Sequence, residues 1–136
     1  MFFTLISCGK TISVKSDTIS NSKILPGANN TNEYLKLLKG KKIAIVSNQT
    51  TVIFKEDGTY THLVDSLNTL GIQIEKVFSP EHGFRGEADA SEVVLNGVDV
   101  KTGIPIVSLY GKNKKLSKEQ LENVDLVIFD IQDVGV

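Results

Sequence analysis

The sequence predicts an α/β fold, a Rossmann-like parallel sheet with helices on both faces, from three observations. Short apolar runs rich in Val, Ile and Phe recur along the chain, and segments with helical spacing separate them. These runs lack the apolar and polar alternation of a sheet with one face in water, so both of their faces are expected to be covered. Apolar residues make up 40% of the 136 residues, which is enough for one packed core.

Four segments have the length and composition of buried strands, and we expect them to lie parallel in one sheet. They are residues 42–47, 72–78, 105–109 and 124–131. Apolar residues at helical spacing predict helices over 33–39 and 61–70, each closed by a glycine. An Asp-Gly pair at 57–58 predicts a turn between the first strand and the second helix. A further helix should open at Ser117, because Ser117 and Gln120 have the spacing of a capping box.

The N-terminal segment predicts a lipid anchor followed by a tether. Cys8 is the single cysteine, and it follows Leu-Ile-Ser in a pattern that resembles the lipobox of bacterial lipoproteins. We interpret residues 1–8 as the remnant of a lipoprotein signal and residues 9–31, rich in Ser, Thr, Asn and Lys, as a flexible tether. Residues 32–136 are then the Rossmann-like folded domain. We therefore expect a cell-envelope protein, periplasmic or extracellular, that contacts the membrane through lipidated Cys8.

Composition and motifs argue against several classes of partner. The net charge of −1 gives no electrostatic reason for binding nucleic acid. Neither the glycine-rich dinucleotide fingerprint nor a P-loop occurs, so no nucleotide cofactor is expected. The two histidines, His62 and His82, lack metal-ligand spacing, and His62 is expected at the surface near a helix start. A metal is therefore not expected, although Glu81 and His82 with Asp130 or Asp133 would offer suitable ligands.

Polar residues follow all four predicted strands, and the densest group lies within residues 78–87. This stretch holds Glu81, His82, Arg85 and Glu87 directly after an apolar run. In open parallel sheets, ligands bind outside the carboxyl ends of the strands, where the loops converge. We therefore expect a single cleft at this edge. The other strand exits add Asn48, Gln49, Thr50, Ser108, Tyr110, Asp130, Gln132 and Asp133.

Carboxyl groups are the residues that favour catalysis in this cleft. Those available are Glu81, Glu87, Asp130 and Asp133. Glycosidases commonly use two carboxyl groups, one as the acid and one as the base or nucleophile. Glu81 follows Pro80 at a strand exit, which is a rigid mount for a catalytic side chain. Glu87 has a second interpretation, since Arg85 lies close enough in sequence to pair with it.

Four strings carry a family resemblance: Ser-Asn-Gln-Thr at 47–50, Phe-Ser-Pro-Glu-His-Gly-Phe-Arg-Gly at 78–86, Ser-Leu-Tyr-Gly at 108–111 and Phe-Asp-Ile-Gln-Asp-Val-Gly at 129–135. With them, the sequence resembles the exo-β-N-acetylmuramidase family of bacterial cell-wall recycling enzymes. The resemblance implies a Rossmann-like N-terminal domain, a smaller C-terminal domain and an active site between them. Because the chain stops just past the last string, we expect it to be truncated before that second domain.

The resemblance implies a glycoside hydrolase that releases N-acetylmuramic acid from the non-reducing end of peptidoglycan fragments, without nucleotide or metal. The predicted catalytic residues are Glu81 as the acid, His82 as a group that orients Glu81 or binds a sugar hydroxyl, and Asp130. The predicted substrate-binding residues are Asn48, Gln49, Thr50, Arg85, Glu87, Tyr110, Gln132 and Asp133.

Arg85 is expected to point away from Glu81, towards Glu87 or the substrate, because its positive charge would stabilise the ionised acid.

The alternative function is a non-catalytic lipoprotein that binds muropeptide sugars in the same cleft. Such a protein would have little need of a strongly perturbed carboxyl group at Glu81.

Overall fold

The computed structural model describes residues 24–80, 83–86, 96–111 and 114–132. The predicted residues Cys8, Glu81, His82, Glu87 and Asp133 lie outside this part of the chain. The helices are α1 (Thr31–Leu38) and α2 (Leu63–Thr69), with 3₁₀ turns at Gly27–Asn29 and Glu119–Leu121. The strands are β1 (Lys42–Ser47), β2 (Val52–Phe54), β3 (Tyr60–His62), β4 (Gln73–Ser79), β5 (Gly97–Val98), β6 (Pro105–Ser108) and β7 (Leu126–Asp130).

Five strands form one sheet in the order β5-β6-β4-β1-β7. Strands β6, β4, β1 and β7 are parallel and correspond to the four predicted strands. The prediction of an α/β fold with a mostly parallel sheet is therefore confirmed. Strand β5 pairs antiparallel with β6 at the sheet edge, and it was not predicted. Two residues are too few for a strand pattern to show in the sequence.

Strands β2 and β3 form a separate antiparallel hairpin that the sequence analysis also missed. The predicted turn lies between them, where Asp57 Oδ1 accepts hydrogen bonds from the N–H and the hydroxyl of Thr59. Because Thr61 and His62 pair with β2, the second helix begins at Leu63 and not at residue 61 as predicted. Three-residue strands are set by their pairing partner more than by their own composition.

One face of the large sheet carries both α-helices and most of the core. Ile43 and Ile45 of β1 and Val77 of β4 point to this face and are fully buried. They pack with Leu67 of α2 and Leu38 of α1, so the helices cover the apolar side of the strands. Within the described residues, no helix is long and apolar enough to cross a membrane.

The other face has a thinner cover. Ala44, Val46 and Phe78 point to it and are buried against Leu116, Leu121 and Val124. The predicted capping box forms here, since the Ser117 N–H donates to Gln120 Oε1 and the Gln120 N–H donates to Ser117 Oγ. In the part of the chain that the structure describes, however, the helical element that follows it is a single 3₁₀ turn. Asn123 then adopts a φ of 61°, which cannot continue a helix.

Candidate active site

A row of short polar side chains crosses the sheet at the carboxyl ends of its parallel strands. Ser47 pairs with Asp130, and Ser79 pairs with Ser108. Since the register between β1 and β4 continues past Val46, Ser47 stands beside Ser79. The three serines are buried, and Ser47 Oγ has no hydrogen-bond partner among the described residues. By strand alternation, the row points to the face that carries α1 and α2.

Hydrogen bonds directly join two of the predicted polar strand exits, those of β1 and β7. The Thr51 hydroxyl, fully buried, donates to the main-chain carbonyl of Asp130 and accepts from the Asn48 N–H. The Gln132 N–H donates to Thr50 Oγ1 at 2.9 Å. The loop after β1 therefore lies against the loop after β7, as expected for neighbouring parallel strands.

Within the β1 exit, the amide of Asn48 shapes the loop. Asn48 Oδ1 accepts from both the N–H and the hydroxyl of Thr50, at 2.9 and 2.6 Å. Gln49 between them is exposed at the surface. Of the three predicted sugar contacts in this loop, Gln49 is thus the one with a freely exposed side chain, whereas Asn48 and Thr50 are half-buried and make internal hydrogen bonds.

Asp130 is half-buried at the end of β7, and burial raises the pKa of its carboxyl group. It lines an apolar cavity of about 300 Å³ together with Tyr34, Leu63 and Ile128. Burial, and secondarily the charge of Asp130, also raises the pKa of the Tyr34 phenol. A carboxyl group in apolar surroundings holds its proton at higher pH, which suits a group that exchanges protons with a substrate.

The exit of β4 is anchored on both sides of positions 81 and 82. Ser79 is fully buried at the strand end, and Phe84 is only 3% exposed within the helix-side core. Between them, the Gly83 N–H donates to the Pro80 carbonyl at 3.3 Å. The chain is therefore held in place just before and just after the pair that the sequence nominates as catalytic.

Arg85 makes an ion-pair cluster that the sequence analysis did not predict. Its Nη1 and Nη2 donate to Asp65 at 3.2 and 2.8 Å, and its Nε and Nη2 donate to Asp99 at 2.8 and 2.6 Å. Lys101 Nζ also contacts Asp65, at 2.7 Å, and the N–H and hydroxyl of Thr102 donate to Asp99. Among the described residues, the charged partners of Arg85 are therefore these two aspartates, and the expected contact with Glu87 lies outside that part of the chain.

Each ionisable group of the cluster formed by Arg85, Asp65 and Asp99 has a pKa that is shifted in favour of its charged form. The hydrogen bonds from Arg85 lower the pKa of Asp99 to about 2, against the opposing effect of burial. Burial tends to raise the pKa of Asp65, but hydrogen bonds from Arg85 and Lys101 outweigh it and lower that pKa. The same contacts raise the pKa of Arg85, so all three groups stay ionised near neutral pH.

His62 lies at the start of α2 as expected, but it is half-buried, whereas the sequence analysis expected it at the surface. Its Nε2 lies 3.0 Å from the Asn48 carbonyl, and its Nδ1 accepts from the Val64 N–H at the start of α2. Its ring also meets Phe84 edge-on, with the centroids 4.8 Å apart. A lone histidine beside a short strand carries no sequence signal for these contacts, because its partners belong to three other segments.

The exit of β6 brings Tyr110 to the same edge. The Leu109 N–H donates to the Ser79 carbonyl at 2.8 Å, which extends the pairing between β6 and β4 past the last strand residue. The Tyr110 N–H then donates to Ser108 Oγ, and the Tyr110 side chain is half-buried. The structure thus places residues from all four predicted strand exits along one edge of the sheet. No group of three potential metal ligands occurs among the residues described.

Comparison with known proteins gives consistent matches. The family model described as exo-β-N-acetylmuramidase NamZ, N-terminal, matches residues 43–136. The chain is 39% identical, over 99% of its length, to the peptidoglycan β-N-acetylmuramidase NamZ of Bacillus subtilis strain 168. It covers 32% of that protein, so it spans about a third of the length of this curated relative.

Two solved structures of DUF1343 family proteins from Bacteroides fragilis have a similar fold. One matches with a TM-score of 0.62 and 31% identity, over 77% of this chain and 25% of its own. The other matches with a TM-score of 0.61 and 39% identity, over 82% of this chain and 26% of its own. In both, the similarity is confined to about a quarter of the solved chain.

Proposed function

Because the chain belongs to the family of the exo-β-N-acetylmuramidase NamZ N-terminal domain, we propose that it serves in a glycoside hydrolase acting on peptidoglycan. The proposed reaction releases N-acetylmuramic acid from the non-reducing end of peptidoglycan fragments. The name of the Bacillus subtilis relative supports the substrate class. The observation that carries the proposal is that all four strand exits lie along one edge of the sheet, where β7 ends at Asp130, a half-buried carboxyl group whose pKa is raised.

In the proposed mechanism, Glu81 protonates the glycosidic oxygen as the sugar leaves. Its place in the chain supports this role, because the flanking residues Ser79 and Phe84 are buried and would hold the intervening segment near the cleft. Asp130 is the proposed second carboxyl group of the pair that glycosidases use. His82 would orient Glu81 or bind a sugar hydroxyl.

The polar residues at the strand exits are the proposed sugar contacts. Amides and a tyrosine suit this task, since amides hydrogen-bond to hydroxyl and acetamido groups and an aromatic ring packs on a sugar face. Gln49 and Gln132 have exposed side chains at this edge, and Tyr110 is half-buried beside the β4 exit. The full proposed set is Asn48, Gln49, Thr50, Glu87, Tyr110, Gln132 and Asp133.

Glu81→Gln in the native full-length protein tests the acid role. Positioned proton transfer is worth about 10²–10⁴ in rate, so kcat should fall at least about a hundredfold on a muropeptide with a poor leaving group. The loss should be smaller on an activated aryl N-acetylmuramide, whose leaving group needs less protonation. Glu33→Gln, which changes an exposed glutamate of α1, is the matched control and should keep wild-type rates.

Equal and minor losses on both substrates would remove Glu81 from the acid role and transfer it to Asp130. Tight binding of muropeptides by the wild-type protein without any turnover would instead support the sugar-binding lipoprotein. Calorimetric titration with N-acetylmuramic acid, run beside the kinetic assay, separates these two results.

We also propose that the protein resides in the cell envelope, anchored through a lipid on Cys8. The support is the lipobox-like Leu-Ile-Ser-Cys string and the polar segment that follows it. A peptidoglycan substrate lies in the same compartment, so the proposed location and the proposed reaction agree.

A further inference from the structure

The segment Gly83–Gly86 follows the proposed acid, and its strongest attachment is through Arg85. This side chain reaches Asp65 on α2 and Asp99 in the turn before β6 with four hydrogen bonds of 2.6–3.2 Å. Asp65 and Asp99 are 20 and 14 residues away in sequence, so the cluster joins three separate parts of the chain. Paired hydrogen bonds between a guanidinium group and a carboxylate set orientation as well as distance.

The cluster leaves Arg85 little capacity to bind a substrate. All three guanidinium nitrogens donate to aspartate oxygens, and the side chain is only 22% exposed. Two aspartates face two cations, Arg85 and Lys101, so the cluster has no excess positive charge for an anionic sugar. The geometry of the cluster is that of a structural ion pair within the protein and not of a contact to a ligand.

Further contacts fasten the same segment to the exit of β1. The guanidinium of Arg85 lies over the Phe84 ring, 4.6 Å from the centroid, and the His62 ring meets the same ring edge-on. His62 in turn contacts the Asn48 carbonyl. A Cβ added to Gly86, whose φ is 73°, would lie 3.0 Å from Gln49 Cβ, so backbone and loop are in close approach there.

We propose that Arg85 is a positioning residue, which with Asp65 and Asp99 holds the segment after Glu81 at a set distance from the exit of β1. The inference rests on the proposed role of Glu81, which lies four positions before Arg85. Two residues between them are anchored, since the Gly83 N–H donates to the Pro80 carbonyl and Phe84 is buried in the core. A displacement of about 1 Å at a catalytic group can cost about a hundredfold in rate.

The test compares Asp99→Asn and Arg85→Lys with the wild type in the native full-length protein. Asp99→Asn removes one charge of the cluster, and Arg85→Lys keeps the positive charge but cannot bridge both aspartates in the same geometry. We expect kcat on the muropeptide to fall by about 10- to 100-fold while KM stays within about twofold. Arg85→Lys should recover more activity than Arg85→Ala.

Asp57→Asn is the matched control. Asp57 accepts from the N–H and hydroxyl of Thr59 just as Asp99 accepts from those groups of Thr102, but it is exposed and in the β2–β3 turn. It should leave kcat and KM at wild-type values. A rise in KM at constant kcat in Arg85→Lys would show a substrate contact and overturn the inference. A loss of activity that merely parallels a fall in melting temperature across the variants would also overturn the inference.

Hydrogen exchange supplies a readout that does not require activity. Peptides covering residues 80–86 should exchange at least about tenfold faster in Asp99→Asn than in Asp57→Asn, because the segment loses its fastening. Unchanged exchange would refute the inference even if the enzyme is active. A different result is also possible, in which Asp99→Asn exchanges faster but Glu81→Gln hydrolyses muropeptides as fast as the wild type. That result would refute the proposed role of Glu81 and the catalytic part of this inference. The anchoring of the segment by Arg85 would still stand.

Discussion

His62 uses its two ring nitrogens for two different tasks, and one of them requires the neutral ring. Nε2 must donate, because its partner is the Asn48 carbonyl, and Nδ1 must accept, because its partner is the Val64 N–H. Protonation would place a hydrogen on Nδ1 and break the cap of α2. Burial lowers the pKa of this ring below its ordinary value of 6.5, and the charge of nearby Arg85 adds to this effect. The hydrogen bond to the Asn48 carbonyl and the charges of Asp65 and Asp99 oppose it without cancelling it.

This geometry predicts a pH dependence of stability. The unfolded chain binds a proton at His62 more readily than the folded chain, so the stability from neutral His62 is complete above about pH 6.5. It falls as the pH drops below that value through the lowered folded pKa. Urea unfolding at pH 7.5 and pH 5.0 should therefore show less stability at pH 5.0. His62→Asn, which can cap a helix but does not titrate there, should reduce this difference.

An equal pH difference in the wild type and in His62→Asn would contradict the prediction. The aspartates of the neighbouring cluster do not complicate the measurement in this range. Asp99 has a pKa of about 2, so its contribution is lost only well below pH 5.

At the scale of elements, a buried hydroxyl is one of two hydrogen-bonded links between the β1 and β7 exits. Thr51 bridges the Asn48 N–H and the Asp130 carbonyl, and it is fully buried at the start of the β2–β3 hairpin. Strand pairing aligns β1 with β7 only as far as Ser47 and Asp130. Beyond that point, this hydroxyl and the hydrogen bond from Gln132 to Thr50 hold the two loops together.

Thr51→Val should therefore destabilise the fold although it keeps the side-chain shape. The change leaves an N–H and a carbonyl unpaired in a buried place, at a cost of about 1–3 kcal/mol in the free energy of unfolding. Thr69→Val is the matched control, because its hydroxyl also donates to a main-chain carbonyl, that of Asp65, but at an exposed position. That variant should stay within about 0.5 kcal/mol of the wild type. Equal losses in the two variants, measured by urea unfolding, would show that burial of the bridge does not matter.

At the scale of the whole molecule, the parallel sheet explains why distant polar residues share one edge. The four parallel strands all end at the same side, and the order β6-β4-β1-β7 brings their exits into one row. The helix-side face and the thinner 3₁₀ face bury β1 and the end of β4 between them, and polar groups gather at the strand ends.

The proposed anchoring of the whole molecule can be tested at Cys8. When the native gene is expressed in its own host with its natural start, the mature protein should carry a lipid on Cys8 and partition with membranes. Intact-mass analysis checks the modification. Cys8→Ser should release the protein from the membrane fraction and leave muropeptide hydrolysis unchanged in detergent. An unmodified cysteine in the mature wild-type protein would refute the proposal.

The sequence by itself determined the parallel strands, the two α-helices and the edge that gathers the polar residues. These features depend on local composition and spacing, which each segment carries alone. The tertiary structure decided what the sequence could not show: the hairpin β2–β3, the half-buried position of His62 and the aspartate partners of Arg85. Each of these depends on residues 14 or 20 positions away, or on pairing with another segment, as Arg85 shows with Asp99 and Asp65. Spacing in the sequence can suggest only neighbours such as Glu87 as partners, whereas the fold shows that the distant carboxylates of Asp65 and Asp99 meet this guanidinium group.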